Sequence, residues 1–284
     1  MSRAITVSGL QKSYGSYEAL RGVDFEIETG EVFGLLGPNG AGKTTTVEIL
    51  EGYRRRDAGS VAVLDQDPQR AGLDWRERIG VVLQSSAMYP NLSVTESLEL
   101  FAGYYRSPLD VGRVVELVGL EEKRDARVRT LSGGQQRRLD LGLGLVGDPE
   151  VLFLDEPTTG FDPAARRAAW EVIRSLRSLG KTILLTTHYL DEAESLADRV
   201  AVLRDGRIAA MGRPEDLTGA APATEIRYRR DGEEVVVSTH EPTRVLHELT
   251  AEALADGREL ENLSVRRPTL EEIYLALTGD EEAE

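Results

Sequence analysis

Short apolar runs, separated by polar and glycine-bearing stretches, set the pattern of this chain. Alternating or wholly apolar segments at residues 5–7, 23–27 and 32–36 predict strands, and the last leads directly into a glycine-rich turn and a helix over 43–51. Further runs at 79–83, 151–154 and 182–186, β-branched or leucine-rich and bounded by polar residues, predict strands buried on both faces. Helices fall between them. Ser93 followed by Glu96 is a capping-box pattern for a helix to about residue 105, and Asp162-Pro163 supplies an N-cap and a first-turn proline for another to about 179. Such alternation predicts an α/β fold, a parallel sheet covered by helices and preceded by a strand-rich N-terminal portion. From Gly212 to Pro222 the pattern breaks into Pro, Gly and Ala, which places a boundary near Ala220. Strands at 225–229, 235–239 and 263–265 and helices at 243–254 and 270–277 then predict a small α+β appendage, ending in a solvated acidic tail over 280–284. The domains expected are 1–217 and 223–284.

Composition narrows the partners. The 284 residues suffice for one large domain with an appendage, and 34 basic against 49 acidic residues leave a net charge of −15. That charge opposes attraction to nucleic acid and to anionic membrane surfaces, so protein partners are expected. No stretch approaches the ~20 apolar residues of a membrane helix; the nearest, 139–146, contains Asp140. The N-terminus carries no secretory apolar core, so a cytosolic address is expected. The absence of cysteine excludes disulfides and thiolate chemistry, and His188, His240 and His247 are poorly spaced for a metal cage. Any metal is expected to be magnesium brought with a nucleotide.

The candidate chemistry begins at Gly37-Pro38-Asn39-Gly40-Ala41-Gly42-Lys43-Thr44, the pattern of a phosphate-binding loop, with Thr45 following. Its glycines let successive backbone N–H groups point at phosphate oxygens without obstruction. Lys43 adds a point charge near the β and γ phosphates, the Thr44 hydroxyl is a magnesium ligand, and the helix dipole favours the bound anion. An ordinary glycine-rich turn is the competing reading, but the motif stands in the strand-to-helix context that it requires. The loop alone leaves kinases, GTPases and transporters open. The run over 151–154 ends in Asp155-Glu156: Asp155 is placed to hold magnesium through its water shell, and Glu156 to polarise a water in line with the γ-phosphate.

Leu131-Ser132-Gly133-Gly134-Gln135, shortly before that strand, resembles the signature motif of ABC ATPases. Ser132 is a helix cap, the two glycines permit close approach, and the helix N-terminus is a second anion site. The resemblance spans about residues 4–217 and implies an ABC ATPase domain with a parallel sheet core, an antiparallel β subdomain and a helical subdomain at about 85–145. It also implies ATP and Mg2+ as ligands and a head-to-tail pair of ATP-binding subunits, most simply a homodimer, in which the signature residues Ser132, Gly133, Gly134 and Gln135 of one subunit close over the nucleotide of the other. Further landmarks follow by the same resemblance. Tyr14 matches the aromatic stacked on adenine, and Gln84 the glutamine that senses magnesium and the attacking water. Asp162 matches the aspartate loop that communicates between paired sites, though it is also an N-cap. His188 matches the switch histidine at the γ-phosphate, where a structural histidine is the plainer alternative. Two departures stand out: Phe161 replaces a usual leucine, and Gly142, Gly144 and Gly147 replace alanine-like residues after the signature, each interior helical glycine costing ~1 kcal/mol.

The same resemblance implies a separate integral membrane permease as partner, docked on the helical region, and hence a peripheral place on the inner face of the cell membrane. Residues 266–279, with Leu270, Ile273, Tyr274 and Leu277 on one helical face, resemble the ending of bacterial drug-exporter ATPases, which implies export of a drug-like or other small hydrophobic molecule. The competing class is a soluble ABC ATPase that acts on ribosomes or DNA; such proteins usually carry two cassettes or a coiled-coil insertion, and the acidic charge disfavours it.

Overall fold

The structure, a computed structural model, describes residues 2–83, 88–220, 224–230 and 233–266, the side chains of 218–220 excepted. Gln84, the expected helix over 270–277 and the acidic tail lie outside the described residues. The chain divides between Met211 and Gly212 into two compact units.

In the first unit β1 (Arg3–Tyr14) and β2 (Tyr17–Glu28) form an antiparallel hairpin. Val7, Leu10, Val23, Phe25 and Ile27 are buried between neighbours that are exposed or partly exposed, the period-two pattern of a sheet with one face covered. Both strands outrun the apolar segments that announced them, because polar residues such as Gln11 and Lys12 pair across the ladder without an apolar signal. β3 (Val32–Leu36) is buried at every residue and delivers the chain to α1 (Lys43–Leu50). β4 (Ala58–Val63), absent from the expected elements, adds to the free edge of β1, giving the order β2-β1-β4.

After α2 (Leu73–Arg76) and β5 (Ile79–Val82) come α3 (Val94–Ala102), α4 (Val111–Leu117) and α5 (Gly133–Leu145). The capping box of α3 forms as expected, with the Glu96 N–H donating to Ser93 Oγ at 3.1 Å and the Ser93 N–H to Glu96 Oε2 at 2.8 Å. The helix ends at Ala102 rather than near 105, because the N–H groups of Tyr104 and Tyr105 bond three residues back, to Phe101 and Ala102, and tighten the chain into a turn. β6 (Val151–Asp155), α6 (Pro163–Ser178), β7 (Thr182–Thr187), α7 (Leu190–Leu196), β8 (Arg199–Arg204) and β9 (Arg207–Gly212) complete a six-stranded sheet in the order β5-β6-β7-β3-β8-β9. The pairs β5–β6, β6–β7, β7–β3 and β3–β8 are parallel.

At the centre of this sheet β3, β6 and β7 are buried at every residue, which is why they read as continuous apolar runs. Phe33, Leu35, Phe153, Leu184 and Leu203 join the residues of α1 and the antiparallel sheet; Leu152, Leu154, Ile183 and Leu185 join those of α3, α4, α5 and α6. Each such burial contributes roughly 1.5–3 kcal/mol relative to exposure. The register sets Leu36 beside Thr187 and Asp155 beside Thr186. The loops that leave β3, β6 and β7 therefore open side by side at the carboxyl edge of the sheet, where ligands of open α/β sheets bind.

Two of the three glycines after the signature, Gly144 and Gly147, have a packing reason. A Cβ on Gly144 would lie 2.7 Å from Val82 Cγ2, and one on Gly80 would lie 2.2 Å from the Gly144 carbonyl oxygen, so α5 rests on β5 almost backbone to backbone. Gly147 lies beyond the end of α5 and is not an interior glycine; a Cβ there would meet the Tyr105 ring at 2.3 Å.

The second unit contains α8 (Pro214–Ala220), then β10 (Thr224–Arg230) and β11 (Glu233–Thr239), α9 (Pro242–Ala255) and β12 (Glu261–Arg266). Its antiparallel sheet has the order β11-β10-β12. Ile226 and Tyr228 of β10 are buried, as is Ala253 of α9.

Candidate nucleotide site

The turn from β3 to α1 is shaped for close approach. Gly42 has a φ of 107°, in the left-handed region, and a Cβ there would meet Leu20 Cδ2 at 2.7 Å and the Ala19 carbonyl oxygen at 2.8 Å. A Cβ on Gly37 would lie 2.4 Å from the Leu203 carbonyl oxygen. The loop thus sits flush against β2 and β8, and only glycine allows it. Lys43 is buried and donates to the Gly37 carbonyl at 2.7 Å and to that of Pro38 at 3.2 Å. Burial lowers its pKa, opposed by the charges of Glu156 and Asp155. Asn39, Gly40 and Thr44 are exposed, Thr45 is half-buried, and Ala41 is buried in the turn.

Asp155 ends β6 as a buried carboxylate, its Oδ1 accepting from the Thr186 hydroxyl at 2.5 Å. Glu156 follows with a φ of 46°, an uncommon conformation for a non-glycine residue that turns the chain sharply off the strand. Its N–H is held by the Thr186 carbonyl at 3.2 Å and the Thr186 hydroxyl at 3.0 Å. So aimed, Glu156 Oε1 stands 4.0 Å from Lys43 Nζ and 3.5 Å from His188 Nδ1, and Oε2 accepts from the Thr159 hydroxyl at 3.1 Å. The fold thus brings Lys43, Asp155, Glu156 and His188 together from three neighbouring strand ends. Tyr14 approaches the same loop, its hydroxyl 3.3 Å from Thr45 Oγ1 and its ring 5.2 Å from the Arg54 guanidinium.

The signature residues form a different place. Ser132 caps α5 with a complete capping box: the Gln135 N–H donates to Ser132 Oγ at 3.3 Å and the Ser132 N–H to Gln135 Oε1 at 2.9 Å. Asp162 caps α6 by accepting from the Ala164 and Ala165 N–H groups, both at 2.9 Å. Ser132, Gly133 and Gly134 line a cleft of about 560 Å³ together with Gly160, Phe161 and Asp162. A Cβ on Gly134 would come within 2.9 Å of Ala165 Cβ, so the start of α5 abuts the start of α6. Phe161, the departure from leucine, is half-buried in this cleft wall.

Four side chains of the site escaped sequence reasoning. The Tyr17 hydroxyl donates to the Gly40 carbonyl at 2.8 Å, and Thr186 holds both acids at the end of β6. Arg137, buried in α5, donates to the carbonyls of Pro157 at 3.0 Å, Asp155 at 3.1 Å, Glu156 at 3.3 Å and Leu83, and lies 3.6 Å from Asp140. Glu192, fully buried, accepts from Thr158 and Trp170. A charge at an otherwise apolar core position was the available signal for the last two.

The residues present fit a nucleotide with its cation. The loop is a cradle that side chains would fill, Lys43 is a buried cation at its base, and Thr44 and Asp155 offer the hard oxygen ligands that magnesium takes. A family model described as ABC transporter matches residues 20–159. The daunorubicin resistance ATP-binding protein DrrA3 of Streptomyces coeruleorubidus is 39% identical over 305 residues, spanning 98% of this chain and 96% of that protein. The Nod factor export ATP-binding protein I of Rhizobium meliloti is 41% identical over 304 residues, spanning 98% and 89%. Among solved structures, cbiO1 of Clostridium perfringens, part of the ABC transporter complex cbiONQ, matches with a TM-score of 0.71 at 29% identity, over 77% of this chain and 92% of that one. A dimeric ATP-binding cassette in a post-hydrolysis state with ADP and Pi bound matches with a TM-score of 0.66 at 25% identity, over 74% and 98%.

Proposed function

The chain belongs to the ATP-binding subunits of ABC transporters, and from that membership we propose how its residues divide the work and what they serve. It is an exporter-type ATPase. The observation that carries the mechanism is Glu156, held in a left-handed turn between Lys43 and His188 at the end of β6.

Gly37 to Thr45 bind the triphosphate through backbone N–H groups, and Lys43 leaves the loop carbonyls to neutralise the β and γ phosphates. Tyr14 stacks on the base. Thr44 and Asp155, with Gln84, would hold Mg2+, which would supply charge neutralisation for the triphosphate. Glu156 accepts the proton of the water that attacks the γ-phosphorus in line, and His188 orients that carboxylate through Nδ1, beside Glu156 Oε1, and contacts the γ-phosphate through its other ring nitrogen. Ser132, Gly133, Gly134 and Gln135, at the capped start of α5, bind the γ-phosphate held by a second copy of the chain, with Asp162 beside them. Cassettes of this family dimerise and pair with membrane components; here we propose a homodimer that closes on ATP, on the inner face of the cell membrane, and drives a separate permease. Residues 1–217 form the ATP-binding domain and 223–284 an accessory domain. The names of the relatives, one for daunorubicin resistance and others for Nod factor export, support export of a drug-like or other small hydrophobic molecule. No helix among the described residues is long and apolar enough to cross a membrane.

The test is the steady-state ATPase rate of purified full-length Glu156→Gln. A fall of about a hundredfold or more with ATP affinity retained is expected; a wild-type rate overturns the assignment of the base.

A further inference from the structure

Glu192 has no part in the mechanism just described, yet it is the least exposed acid of the first unit, at 0%. It lies in the first turn of α7, four residues past His188. Its Oε1 accepts from the Thr158 hydroxyl at 2.7 Å and from the Trp170 indole N–H at 3.0 Å. Thr158, also 0% exposed, stands two residues past Glu156 and four before Asp162, and Trp170 belongs to α6, which Asp162 caps. One carboxyl oxygen therefore joins the helix that follows the switch histidine to the segment that connects the base to the aspartate loop.

A second tie runs alongside the first. Arg166, in the first turn of α6, lies 3.3 Å from Asp191 Oδ2, and its guanidinium sits 4.0 Å over the Tyr189 ring. That ring in turn packs against His188, centroid to centroid at 4.1 Å. Tyr189, just before α7, and Asp191, in its first turn, are thus held from α6, and His188 packs on the first of them. A buried carboxylate is a costly way to fill space, several kcal/mol worse than an apolar side chain unless its bonds are needed. Burial raises the Glu192 pKa, opposed by the hydroxyls of Thr187 and Thr158, the Trp170 indole and Arg166.

We propose that Glu192 is a positioning residue for hydrolysis: through Thr158 and Trp170 it locks α7 to the segment 156–162, so that His188 and Asp162 move as one body. This rests on the reading of Glu156 and His188 given above and extends it. Contact made by Asp162 with a second subunit would then be felt at His188 without any direct bond between the two.

The test is a double-mutant cycle in the full chain, reading kcat and KM for ATP with Tm alongside. Glu192→Leu should lower kcat by about tenfold to a hundredfold and leave KM within about threefold, while Glu192→Gln, which keeps an oxygen acceptor, should restore kcat to within about threefold of wild type. In a His188→Ala background Glu192→Leu should add little further loss. Additive losses in kcat, or a fall in Tm with kcat per ATP-binding site unchanged, would overturn the proposal while leaving the site reading intact. A His188→Ala chain that turns over at the wild-type rate would overturn both. Should Glu192→Leu fail to fold, Thr158→Val, which removes one donor and keeps the shape, enters the same cycle with the same criteria.

Discussion

Glu51, just past the end of α1, shows how much a single residue's environment decides. Burial, with the charges of Asp155 and Glu48, pushes its carboxyl up to about 7 from an ordinary 4.5. The folded chain therefore holds this proton more tightly than the unfolded one. The associated stability is complete below about pH 4.5 and is lost as pH rises through about 7. At ~1.4 kcal/mol per pH unit this amounts to about 3–4 kcal/mol. Glu51→Gln, a mimic of the protonated acid, should then raise Tm over wild type at pH 8 and lose that advantage by pH 5; parallel Tm profiles would refute the account. At this scale the sequence exposed residues whose spacing is itself the chemistry, Gly37 to Thr44 and Asp155-Glu156 above all. It concealed Arg137, Thr186 and Glu192, because their partners are carbonyls and hydroxyls from distant segments that no spacing rule connects.

Among the elements, α5 carries the clearest test. Its interior glycines looked like a loss of helix propensity, and the close approach of α5 to β5 explains one of them. A Cβ at position 144 meets Val82 at 2.7 Å, whereas one at 142 meets Leu98 and Val114 side chains at 3.3 Å. Alanine regains ~1 kcal/mol of propensity at either site. Overpacking costs about 1–3 kcal/mol where the neighbour cannot move. Gly142→Ala should therefore change stability by less than about 1 kcal/mol, and Gly144→Ala should be worse by at least that much, measured by urea unfolding. Equal effects would show that the contact with Val82 is not what holds glycine there. Elements with strong local signals, α3, α6 and the core strands, were legible to within a few residues. β4, β8 and β9 were not, since their short runs carry alanine, glycine and flanking arginine, and only pairing with β1 and β3 makes the first two regular.

For the whole molecule the two anion-seeking places imply assembly. If the loop of one copy meets the capped start of α5 of another, Glu156→Gln with ATP and magnesium should shift from one chain to two by light scattering, and Lys43→Ala should not. A chain that stays single at saturating ATP would refute a homodimer. By itself the sequence determined the phosphate loop, the acids after β6, the signature and the α/β alternation, because each is written in neighbouring residues whose backbone geometry is local. Tertiary structure alone decided that Glu156 stands between Lys43 and His188, that Thr186 and Arg137 hold the turn beside it, and that Glu192 joins α7 to α6. The physical reason is that parallel strands bring segments distant in sequence into register, β3 with β7 across more than a hundred residues, and which side chains then meet depends on pairing and packing that no local pattern encodes.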